Sequence, residues 1–71
     1  MDKQQFVECL GQILTHTSWG ITGAHYEKSV YEETAVVEFK HRGGLYVNIT
    51  GDSNAAIILD VMKALMQHIG L

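Results

Sequence analysis

The chain has 71 residues, a formal net charge of −3, 46% hydrophobic and 18% charged residues. These values exclude a second domain, a disordered polymer and a strongly basic nucleic-acid binder, and they predict one small α+β domain over residues 1–71. No apolar run approaches the roughly 18 residues that span a bilayer. The polar start Met1-Asp2-Lys3-Gln4-Gln5 lacks the pattern of a signal peptide, so a cytoplasmic location without membrane contact is expected.

The first helix is predicted over about residues 3–15. Phe6, Cys9, Leu10, Ile13 and Leu14 follow the spacing of one helical stripe, which Val7 widens. Asp2 is placed to cap it, and Thr15 to Ser18 compete with helical hydrogen bonding at its end. A weaker alternation of Ala24, Tyr26 and Lys28 against His25 and Glu27 predicts a strand over about 21–30. A cleaner one follows over about 34–41, with Ala35, Val37 and Phe39 on one side and Val36, Glu38 and Lys40 on the other. Leu45, Val47 and Ile49 repeat the pattern over about 44–50. Pairing Phe39 with Leu45, Val37 with Val47 and Ala35 with Ile49 keeps these side chains on one face. Gly43 and Gly44 then supply the positive φ that a short hairpin loop at Arg42 requires.

Gly51-Asp52-Ser53-Asn54 reads as turn and cap for a last helix over about 54–69. Its buried stripe is predicted as Ile58, Val61, Met62, Leu65 and Ile69, with Ala56, Asp60, Lys63 and Gln67 opposite and Gly70 at the left-handed end position. The expected architecture is α-β-β-β-α, a three-stranded antiparallel sheet with both helices on one face.

This order and length, and above all Gly44-Leu45-Tyr46-Val47-Asn48-Ile49-Thr50-Gly51-Asp52-Ser53 followed by a helix, resemble the double-stranded RNA-binding domain. The resemblance implies that fold. In the family the last helix opens with clustered lysines that grip phosphates, whereas here Asp52-Ser53-Asn54-Ala55-Ala56-Ile57 has none. Phosphate neutralisation supplies most non-specific affinity for nucleic acid. The fold is carried over, and nucleic acid is a disfavoured partner.

No catalytic constellation stands out, and no cofactor or metal is expected. His16, His25, His41 and His68 do not have the spacing of a zinc-binding helix, and nothing local singles out the one alternative, a site shared by His25, His41 and an acid on neighbouring strands. Cys9 reads as a core residue, and Glu32-Glu33 as a solvated loop. The amides that open the last helix read as capped by Asp52 or Ser53 rather than as an anion site.

Tyr26, Val36, Glu38, Lys40, Tyr46, Asn48 and Thr50 are expected on an open sheet face. Trp19 is expected at the core edge or as an interface anchor. The candidate interface is therefore Trp19, Tyr26, Val36 and Tyr46. A chain this short builds a core worth only about 3 to 5 kcal/mol, and its lone cysteine cannot staple it. The expected function is a protein-interaction or regulatory module that self-associates through the sheet face or an edge strand, with a nucleic-acid-binding module of the resembling fold as the alternative.

Overall fold

The computed structural model describes residues 2–41 and 43–70. Its elements are α1 (Lys3–Leu14), β1 (Ile21–Lys28), β2 (Glu33–Phe39), β3 (Gly43–Asn48) and α2 (Asn54–Ile69). The strands form one antiparallel sheet in the order β1-β2-β3. This α-β-β-β-α arrangement is an α+β fold, compatible with the topology of the double-stranded RNA-binding domain. Among the described residues no helix is long and apolar enough to cross a membrane.

Local chemistry sets the helix limits. Asp2 accepts from the Gln5 amide at 2.8 Å while the Gln5 side chain reaches back to the Asp2 amide, a reciprocal cap that satisfies two otherwise free donors. Ser53, not Asp52, caps α2 by accepting from the Ala56 amide. Gly70 ends α2 at φ 86°, the left-handed conformation that glycine adopts without a Cβ penalty.

β1 stops at Lys28, two residues short of the predicted end. The Ser29 amide donates to the Glu32 carbonyl at 2.9 Å, and the Ser29 hydroxyl accepts from the amides of Tyr31 and Glu32. That local alternative to strand pairing makes residues 29–32 a turn.

The β2–β3 register differs from expectation by two residues. Val37 opposes Leu45, Ala35 opposes Val47 and Phe39 opposes Gly43. Gly43, at φ 75°, closes the connection after residues 40–42, so pairing resumes earlier along β3 than the pattern suggested. Arg42, on which the predicted loop centres, lies outside the described residues. A slip of two conserves side-chain parity, and the apolar face survives it.

One buried cluster joins Val7, Leu10 and Leu14 of α1, Ala35 and Val37 of β2, Val47 of β3, and Ile57, Val61 and Leu65 of α2. Both helical stripes are rotated from their predicted positions. In α1, Val7 is fully buried while Cys9 is exposed and Ile13 is 65% exposed. The predicted core role of Cys9 is thus overturned. In α2, Ile57 is fully buried and Ile58 is 42% exposed. Gly11 is the physical reason for the first rotation, because it is buried and brings α1 into direct contact with Ala24 of β1.

Candidate functional site

Cross-strand pairing assigns the sheet faces. Tyr26 opposes Ala35, which opposes Val47, so all three share the core face. His25, Val36 and Tyr46 form a row on the other face, as do Glu27, Thr34 and Asn48. The expected placement of Tyr26 on the open face is therefore corrected, because its parity follows Ala24 and both pack against the core. Val36 does lie on the open face but is only 3% exposed, at the centre of the middle strand between His25 and Tyr46. Tyr46 is 67% exposed. Thr50 leaves the face altogether: its amide and hydroxyl donate to the Asp60 carboxylate at 2.9 and 3.0 Å, tying the end of the β3 segment to α2.

Charged groups on the two faces are organised differently. On the core side, Lys3 Nζ lies 2.7 Å from Glu33 Oε2 and 3.2 Å from Asp52 Oδ1, and the Tyr26 hydroxyl donates to Glu33 Oε1 at 2.6 Å. The Lys3 ammonium, then the Tyr26 hydroxyl, hold the Glu33 carboxyl below its ordinary range. Glu33 is thus an anchor rather than the solvated loop residue predicted beside Glu32. On the open face, His25 Nε2 is 2.8 Å from Glu27 Oε2, and Nδ1 is 3.6 Å from Glu38 Oε1. The Glu27 hydrogen bond, aided by the charge of Glu38, raises the His25 pKa.

Trp19 packs against the core and lines a shallow cleft of about 350 Å³ with Ser18, Gly20, Phe39, His41 and Ile69. The His68 ring lies 5.2 Å from that of Phe39. His25, midway along β1, is not brought together with His41, which follows β2. Among the described residues no three histidine, cysteine or acidic side chains could hold a metal.

Among the described residues, four large apolar side chains on the helices are exposed. Ile13 of α1 and Ile58, Leu59 and Met66 of α2 are 65%, 42%, 53% and 45% exposed. Helical periodicity fixes which way they face. Lys3 reaches Asp52, two residues before α2, whereas Gly11 touches β1. The flank of α1 carrying Phe6, Cys9 and Ile13 therefore turns toward α2. Asp60, bonded to Thr50 at the end of the β3 segment, marks the flank of α2 away from α1. Ile58, Met62 and Met66 lie opposite it. Phe6 and Met62 are partly buried against the core, forming the floor of an apolar valley between the helices.

This valley was absent from the residues predicted for function. Its signal was present in the width of the apolar arc on α2. From Ile57 to Leu59 the apolar positions cover about 200° of the helix, about twice the roughly 100° stripe that faces a single core. Val30 and Tyr31, 91% and 96% exposed at the β1–β2 turn, also lack a sequence signature. Compared with protein-family models, curated proteins and solved structures, the chain matches none.

Proposed function

We propose that this protein is a small interaction module that acts through protein contacts and self-associates. The supporting observation is the set of exposed aliphatic side chains bordering the interhelical valley, Ile13, Ile58, Leu59 and Met66. Exposed apolar surface gathered in one place marks contact sites more often than scattered side chains do. The open sheet face supports the reading less, because Val36 is already buried there and its neighbours His25, Glu27 and Glu38 are polar.

A nucleic-acid role has only the topology behind it. The first turn of α2, Asn54-Ala55-Ala56-Ile57, offers no lysine, and the net charge of −3 opposes phosphate binding.

Sedimentation equilibrium over a wide concentration range tests the proposal. A reversible, concentration-dependent increase in mass is the expected result. A constant monomer mass up to about millimolar protein, far above the micromolar range of ordinary specific complexes, would remove self-association from the reading.

A further inference from the structure

We infer that a second copy of this chain extends the sheet at β3, the two β3 strands lying antiparallel about a two-fold axis at Tyr46. The inference rests on the self-association proposed above and places its contact at the sheet edge rather than in the interhelical valley.

The two edges of the sheet are built differently. At the end of β1 the Ser29 amide bonds to the Glu32 carbonyl. By the alternation of an antiparallel ladder, the N–H and C=O groups of Ala24, Tyr26 and Lys28 therefore point away from β2. That edge is guarded. Gly11 of α1 lies directly against the Ala24 nitrogen, pairing is irregular between Ile21 and Gly23, and Glu27 and Lys28 put charge at the far end. A covering helix, irregular pairing and charge are the usual protections of an edge strand.

β3 is bare by comparison. Its pairing with β2 is unbroken from Gly43 to Asn48, and those residues include no Asp, Glu, Lys, Arg or Pro. The Ile49 amide donates to the Glu33 carbonyl at 3.0 Å, so the same alternation turns the backbone groups of Gly44, Tyr46 and Asn48 outward. All three residues are exposed. Among the described residues, no hydrogen bond from outside the ladder reaches their backbone groups.

The extent of this free row selects its occupant. A row of alternating N–H and C=O groups is completed by another extended strand. Gly43 is paired with Phe39 and the Thr50 amide is taken by Asp60, which confines the row to residues 44–48 and centres it on Tyr46. Antiparallel about that centre, β3 completes itself: Gly44 meets the partner's Asn48, and Tyr46 meets the partner's Tyr46. On the core face, Leu45 then lies beside the partner's Val47. Leu45 is only partly buried in the protomer, so this pairing joins the two cores across the edge. No like charges are opposed within the strand pair, which removes the usual obstacle to a surface meeting itself across a two-fold axis.

Sedimentation equilibrium and amide hydrogen exchange on the intact chain test the pairing. Exchange at Gly44, Tyr46 and Asn48 of the wild type should slow as concentration rises, by roughly 10-fold when about nine-tenths of the chains are paired, since only the monomer exchanges these amides freely. Tyr46→Lys and Tyr46→Glu should each weaken association by roughly 10-fold or more, because each sets like charges opposite one another. An equimolar mixture of the two variants should associate at least roughly 5-fold more tightly than either alone, because opposite charges then face each other. Tyr46 is 67% exposed, and circular dichroism checks that both variants remain folded.

If the wild type associates without slowing these amides, the edge is not the contact, and self-association through another surface stands. If the amides slow but the mixture is no tighter than the single variants, the axis does not pass through Tyr46 and the inference fails. A wild type that stays monomeric overturns both the inference and the reading beneath it.

Discussion

A methyl group built on Gly11 would sit 2.3 Å from the backbone nitrogen of Ala24 and 2.7 Å from its Cβ. The first helix and the first strand thus touch backbone to backbone, with nothing able to yield. Alanine is worth about 1 kcal/mol over glycine within a helix, so propensity alone would make Gly11→Ala stabilising. The clash reverses that sign. Gly11→Ala is expected to cost about 1 to 3 kcal/mol net, measured as a lower midpoint of urea unfolding. A midpoint equal to or above that of the wild type would show that the contact relaxes freely.

The Lys3–Glu33 pair gives stability with a defined dependence on acid. The Glu33 carboxyl is held below its ordinary range by Lys3 first and the Tyr26 hydroxyl second. The unfolded chain therefore takes up a proton at a higher pH than the folded one does. The pair's full contribution is present above about pH 4.3, the ordinary glutamate value, and is lost as pH falls through the lowered folded value. Thermal melts of Glu33→Gln between pH 6 and pH 3, the window these shifts define, should show a shallower loss than those of the wild type. Parallel curves would remove Glu33 from the account of acid sensitivity.

His25 behaves in the opposite sense. Its raised pKa means that protonation favours the folded form, so its contribution is fully present below about pH 6.5 and is lost as pH rises through the folded value. Replacing Glu27 with Gln removes the 2.8 Å partner that dominates the shift. An NMR titration of the His25 ring should then move to lower pH. An unchanged midpoint would show that the ring does not hold the Glu27 contact in solution.

Asp60 holds the segment between the sheet and α2 through the amide and hydroxyl of Thr50. Asp60→Ala should cost about 1 kcal/mol, the usual net worth of such a hydrogen bond. Amide exchange at Thr50 should accelerate relative to Val47, whose strand is untouched. Equal protection at both positions would contradict the clamp.

Element order, the Asp2 cap, and the glycines Gly43 and Gly70 could be read from short-range chemistry, whereas the cap of the last helix stayed open between Asp52 and Ser53 until the hydrogen bond to Ala56 decided it. The parity of β2 and β3 was also legible, since alternating apolar residues define a face whatever the register. The register itself was not, because shifting by two conserves the alternation. The helix rotations were missed for a related reason: Val7 and Cys9, or Ile57 and Ile58, fit the same broad apolar arc, and only the close approach at Gly11 decides between the first pair. Tyr26 was misplaced because a tyrosine suits either face, and its hydrogen bond to Glu33 arises only in the folded sheet. The valley between the helices depends on two elements about 45 residues apart, a relationship that no periodicity within either one contains.

The order β1-β2-β3 puts each strand beside its neighbour in the chain, with only a few residues between one strand and the next. Closing such short loops costs little entropy, so the sheet can assemble before the ends of the chain find one another. Lys3, which must reach Asp52 across the sequence, belongs among the last contacts made. None of the 71 residues is proline, so no slow isomerisation delays the process. Refolding should run as one rapid phase, followed at Trp19, the only tryptophan, as it packs against the core.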